Sequence, residues 1–261
     1  MMLKDKVAVI YGAGGDVGGA VARAFAREGA KLFLTGRNLR KVEAVAADVI
    51  GRGGVAEAAE VDALDEQAVE KYVGAVAEKA GTIDISFSAI SVVLPHKPPL
   101  LELSAEHFAL PITAYTRANF LTARSAARRM VTRRSGVILT ITGTPSRMSF
   151  PNLGGSPAAY AAVVALTRSL SVELAPQGVR VVCLMPNAIP ETATIRENFG
   201  RYAKAAGVTP AEYQARIESM THLRRLTTLA ELANAAAFLA SDQASAMTGT
   251  VVNLSGGAIA D

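Results

Sequence analysis

The glycine-rich turn near the N-terminus constrains this chain most. "KVAVIY" is a short apolar run, "GAGGDVGG" follows at once, and "AVARAFAREGA" continues with helical periodicity and a glycine near its end. A strand that turns through glycines into a helix gathers backbone amides and the positive end of a helix dipole at one spot. Such a spot suits a pyrophosphate. The strict Gly-x-Gly-x-x-Gly spacing is absent, and a glycine turn alone is a weak signal. Its place between a first strand and a first helix gives it weight.

Strand and helix signals go on alternating after the turn. "KLFLTG", "VAEAAEVD", "TIDISFSAI", "GVILTITG", "GVRVVCLMP" and "TVVNLSGG" read as strands, with helical segments between most of them. A long helical region is expected from about Ser104 to Arg134, with Pro111 near its first turns, and another over Ser156–Pro176. Between strands four and five a proline-rich loop, "LPHKPPLLEL", precedes the long helix, and after Pro190 the alternation stops for about thirty residues. Six or seven strands joined by helices imply parallel units with right-handed crossovers. Continuously apolar strands imply helices on both faces. The fold class is therefore α/β, a doubly wound parallel sheet in one Rossmann domain over 1–261, with no linker to divide it. In such sheets ligands bind at the carboxyl ends of the strands.

Composition narrows the partners. A net charge of +4 from 27 basic and 23 acidic residues argues against a nucleic-acid protein. The one basic cluster, Arg124, Arg128, Arg129, Arg133 and Arg134, reads as a solvated or subunit-facing helix face. The single cysteine, Cys183, has no intramolecular disulfide partner and sits in an apolar strand as a small core residue. His96, His107 and His222 lack metal-ligand spacing, so no metal is expected. No apolar run reads as long enough to span a membrane and no signal-peptide layout precedes the first strand; a cytoplasmic protein is expected.

From about Lys4 to Gly257 the chain resembles the short-chain dehydrogenase/reductase family. The family's turn, Thr-Gly-x-x-x-Gly-x-Gly, meets Tyr11, Gly12, Asp16 and Gly18 here. The resemblance implies a nicotinamide dinucleotide held by Gly12, Gly14, Gly15, Asp16, Val17 and Gly18. Asp16 replaces a glycine, and a carboxylate there caps the helix or opposes a phosphate. The family's acid after the second strand is replaced by Gly36, with Arg37 next, which implies NADP(H) rather than NAD(H) because arginine grips a 2′-phosphate. Asp62 and Ala63 fall beside the adenine. Ser88 and Ala89 begin the "SAIS" that replaces Asn-Asn-Ala-Gly, and Pro186, Asn187, Ile189 and Thr192 fall along the nicotinamide and phosphates. Asn187 stands at a glycine place, and asparagine tolerates a left-handed turn.

The family's chemistry needs a Tyr as proton donor, a Lys four residues on, a Ser and an Asn. In "SPAAYAAVVALTRSL" the family's Leu-Thr pair aligns with Leu166 and Thr167. Counting back puts Tyr160 at the Lys place and Ser156 at the Tyr place. Ser156 also reads as the helix N-cap, with Pro157 at the first helical position. The Ser place is Gly143, flanked by Thr142 and Thr144, and the Asn place is Tyr115. All four catalytic positions are changed. Candidate catalytic residues are Tyr160, Ser156, Thr142 and Tyr115.

The resemblance further implies a substrate lid at about 191–222 and a homotetramer paired through the two long helices. Three readings stay open. One is an atypical oxidoreductase acting on a carbonyl, alcohol or activated alkene of a small molecule. Another is a silent protein that binds dinucleotide or a small ligand as a sensor. The last is a structural partner with no cofactor, which Asp16 permits.

Overall fold

The computed structural model describes residues 1–90 and 98–260. Seven parallel strands form one sheet: β1 Val7–Tyr11, β2 Lys31–Gly36, β3 Val55–Glu60, β4 Ile85–Ser88, β5 Gly136–Ile141, β6 Val179–Pro186 and β7 Val251–Leu254. Their spatial order is β3-β2-β1-β4-β5-β6-β7. The order reverses between β1 and β4, so the loops leaving these two strands diverge and open a crevice at their carboxyl ends.

Helices cover both faces. On one lie α1 (Asp16–Arg27), α2 (Leu39–Gly51) and α8 (Leu229–Ala240); Phe25, Val42 and Leu232 meet Ile10 and Phe87 of the sheet. On the other lie α3 (Glu66–Ala80), α4 (Ala105–Arg133) and α5 (Ser156–Leu174); Val73, Ala126 and Met130 pack on Val9 and Ile138. β1 and β4 are buried throughout, as two covered faces require. The edge strand β3 has one buried residue, Ala56, and β7 is half-buried, so the expectation of continuously apolar strands fails at the edges, where cover is thinner.

Further expectations change. The stretch after Pro190 is more regular than the sequence reading had it: α6 (Ala193–Ala205) and α7 (Pro210–Ser219) form a helical pair. Thr209 and Glu212 cap α7 reciprocally, a local signal present in "TPAE". The N-cap of α5 is Gly155 and not Ser156, which is the first helical residue. A Cβ on Gly155 would lie 2.0 Å from the Phe108 carbonyl oxygen, so α4 presses on the backbone there and no capping side chain fits. Asn187 does not take a positive φ. Its Oδ1 instead accepts from the Ala188 amide (2.8 Å) and the Thr144 hydroxyl (3.4 Å), which holds the turn without a left-handed residue.

The arginines of α4 are largely answered from within the chain. Arg124 pairs with Glu66, Arg128 with Glu70 (3.5 Å) and Arg133 with Asp84 (3.2 Å). One segment, Ser156–Gln177, is long and apolar enough to cross a membrane by length and composition, contrary to the sequence reading. Its Arg168 and Glu173 are exposed, and a narrow stripe of Ser156, Ala159, Val163, Thr167 and Ser171 seats it on the protein. The last residue of the "SAIS" segment, Ser91, and His96 of the proline-rich loop lie outside the described residues.

Candidate active site

A cleft of about 370 Å³ opens at the carboxyl ends of the strands. The turn after β1, the ends of β5 and β6, the start of α5 and both helices of the 193–219 pair meet there. Gly15, Asp16, Val17, Ala89, Thr142 and Tyr115 line it, and so do Ser156, Tyr160, Pro186, Asn187, Ile189 and Thr192. The structure thus gathers most of the sequence-predicted residues in one place.

Gly12 and Gly18 are not on the cleft wall; they shape the turn. Gly12 has φ +72°, and a Cβ on Gly18 would lie 2.3 Å from the Gly12 carbonyl oxygen. Gly14 serves packing, since a Cβ there would meet that of Lys41 at 2.8 Å. The turn leaves α1 without a side-chain cap, so its first-turn amides have no side-chain acceptor. An uncapped helix end lined by glycine suits an anionic diester.

Arg37, Asp62, Ala63 and Ser88 also lie off the cleft wall. Arg37 follows β2 on the exposed surface. The Asp62 carboxylate accepts from the Leu64 amide (3.0 Å), which makes it a loop-capping group; Ala63 is buried beside it. Ser88 is buried and its hydroxyl has no hydrogen-bond partner among the described residues.

Asp16 does something the sequence did not suggest. Its Oδ2 accepts from the Ala193 amide at 2.7 Å, the first residue of α6. One carboxylate thereby ties the glycine turn to the 193–219 helices across the mouth of the cleft. Thr192 caps the same helix through Ile195 (3.4 Å) and donates to the Ile189 carbonyl (2.8 Å).

On the cleft floor, Tyr160 and Tyr115 meet edge to face with ring centres 5.7 Å apart. The Tyr115 hydroxyl donates to the Ile141 carbonyl. Burial, then the neighbouring Tyr160 and Cys183, push its pKa well above the ordinary phenol range. The Tyr160 hydroxyl makes no hydrogen bond among the described residues, and burial followed by Tyr202 pushes its pKa upward as well. A Cβ on Gly143 would lie 3.3 Å from a Tyr160 ring carbon, so the missing side chain at 143 gives the ring its place. Thr142 donates its hydroxyl proton to the Tyr160 backbone carbonyl (3.0 Å). Cys183 lies behind this floor, fully buried, its thiol pushed up to about 11 by burial; it stays protonated and inert.

Phe150, Leu153, Ile195, Asn198, Phe199, Tyr202, Tyr213 and Ile217 are also on the walls. The sequence reading placed the last six in a lid without assigning roles to them, and Phe150 and Leu153 carried no signal.

Comparison with known proteins agrees with this architecture. The family model described as enoyl-(acyl carrier protein) reductase matches residues 12–258. The chain is 30% identical over 258 residues, 99% of this chain and 92% of the relative, to a Bacillus subtilis (strain 168) protein named "Uncharacterized oxidoreductase YxbG". Among solved structures, sorbitol-6-phosphate 2-dehydrogenase SrlD from Erwinia amylovora superposes with TM-score 0.91 at 26% identity, covering 97% of this chain and 100% of that one. A short-chain type dehydrogenase/reductase from Mycobacterium marinum gives 0.88 at 28% identity, covering 99% and 97%. The chain belongs to the short-chain dehydrogenase/reductase family of oxidoreductases.

Proposed function

We propose that the chain is an NADP(H)-dependent oxidoreductase acting on a carbonyl, alcohol or activated alkene of a small molecule, with a proton route unlike the family's usual one. The observation that carries this reading is the convergence of the uncapped glycine turn, Tyr160 and the Asn187 turn on one cleft. Gly15 and Val17 would hold the pyrophosphate, Arg37 the 2′-phosphate, and Pro186, Asn187, Ile189 and Thr192 the nicotinamide side. The dinucleotide, when bound, supplies or accepts the hydride.

The residues of the chain orient and exchange the proton. Tyr160 offers an unpartnered phenol hydroxyl on the floor, so in reduction it donates to the substrate oxygen and regains a proton from water. Ser156 lines the same floor and steadies that oxygen. Thr142 is committed as a donor to the helix and offers only its lone pairs. Tyr115 is committed to Ile141 and acts as a support for the Tyr160 ring. With no lysine beside it, Tyr160 is a weak acid, and turnover depends on proximity more than in the family's usual arrangement.

The test is NADPH oxidation across a broad panel of carbonyl compounds and enones. Turnover with some member supports the reading. Dinucleotide binding with no turnover across the panel supports a silent sensor instead, a reading favoured by the raised pKa of Tyr160 and by the Asp16–Ala193 bond.

The homotetramer remains part of this reading. The α5 helix is apolar, yet Ala161, Ala165 and Val172 are exposed on it. That face fits a second copy of the chain. Ala165→Glu should therefore shift the protein to a smaller species in sedimentation velocity; an unchanged sedimentation coefficient would contradict the assignment.

A further inference from the structure

We infer that the 193–219 helices form a ring-binding wall, and that the substrate is a neutral, flat, ring-bearing carbonyl compound or alcohol. The inference rests on the oxidoreductase reading and narrows it. Three aromatic side chains cluster on the inner side of the helical pair. Tyr213 stacks on Tyr202 with ring centres 5.9 Å apart and an interplanar angle of 30°, and meets Phe199 edge-on at 5.5 Å. All three line the cleft, facing the Tyr160 floor side of the same cavity. Stacked and edge-on rings around an apolar space favour a flat ligand.

The polar groups of the cleft point the same way. A polyol needs a hydrogen-bond partner for nearly every hydroxyl. Four of the nine side-chain hydroxyls on the described lining are already committed as donors: Thr142 to Tyr160, Thr144 to Asn187, Thr192 to Ile189, and Tyr115 to Ile141. The hydroxyls of Ser156, Thr194, Tyr160, Tyr202 and Tyr213 make no hydrogen bond among the described residues. Three of these five are phenols of the aromatic floor and wall, whose ring faces offer a polyol no partner. Apart from phenols, the one ionisable side chain among the described lining residues is Asp16, whose negative charge disfavours an anionic substrate.

Equilibrium dialysis of the wild-type full chain, with and without NADPH, tests this with three probes: 2-acetylnaphthalene, 2-naphthoate and xylitol. The ketone should bind at least about tenfold more tightly than either the carboxylate of the same ring system or the polyol. Tyr202→Ala should weaken ketone binding about tenfold, and Tyr202→Phe, which keeps the ring, by at most about threefold. Equal or tighter binding of 2-naphthoate or xylitol would overturn the inference, as would wild-type ketone affinity in Tyr202→Ala. Ketone preference in a protein that takes up no NADPH upholds the wall while the oxidoreductase reading fails. NADPH binding without ketone preference overturns the wall and leaves that reading intact.

Discussion

Asp16→Gly should bind NADPH about tenfold more tightly than the wild type. The expectation comes from where the carboxylate sits. It follows the uncapped start of α1 and accepts the Ala193 amide at the start of α6, so the amide ends of two helices approach one negative group. A pyrophosphate entering the same place meets like charge. Asp16 is exposed, so screening by water keeps the penalty near the low end, about 1.4 kcal/mol or tenfold.

Glycine also removes the tie to α6, which leaves two causes for one gain. Asp16→Asn separates them, since its amide oxygen still accepts from Ala193 while the charge is gone. If charge is the cause, both variants gain affinity. In Asp16→Gly alone, amide exchange at Ala193 should quicken, because the hydrogen bond that slows it is lost. Equal NADPH affinities for wild type and both variants would end the repulsion argument.

The second large effect is expected at Tyr160. With an active carbonyl substrate, Tyr160→Phe should lower kcat by about a hundredfold, the usual scale for loss of a positioned acid, and change KM little. The ring stays, so its edge contact with Tyr115 and its fit against Gly143 survive. A small change in kcat would assign the proton to another donor, with Ser156 the next candidate on the floor.

The pH profile carries an independent sign. In reduction the protonated phenol is the working form, and the pKa of Tyr160 is shifted upward by burial. The rate should therefore be flat through neutral pH and fall only above the ordinary phenol value, about 10. An ionisation near neutrality in wild type, absent from Tyr160→Phe, would mean that a cation lowers the pKa of Tyr160 after all.

Much of the fold was legible because its signals are local. The strand–glycine–helix start, the alternation and the apolar central strands each lie within a few residues. The floor was legible through register: Leu166 and Thr167 fix the helix, and four-residue spacing brings Ser156 and Tyr160 to the same cleft. What could not be read depends on distant neighbours. Asp16 and Ala193 are 177 residues apart in sequence. Ser156 looked like a cap, yet with the carbonyl of Phe108 pressed on the backbone the N-cap is Gly155 and Ser156 is the first helical residue. Thr142 looked free, but its hydroxyl is used by a helix carbonyl eighteen residues on. The aromatic wall is intermediate: Phe199, Tyr202 and Tyr213 were visible in sequence, while their convergence needed two helices folded together.

The central claim is that the glycine turn and cleft still take up a nicotinamide dinucleotide despite Asp16. Calorimetric titration of the wild-type chain with NADPH and, separately, NADH tests it most directly. The expected result is one site per chain with affinity tighter than about 1 mM, and NADPH bound more tightly than NADH because Arg37 meets the 2′-phosphate. Absence of binding heat for both at millimolar concentration, with binding absent by equilibrium dialysis as well, would contradict it.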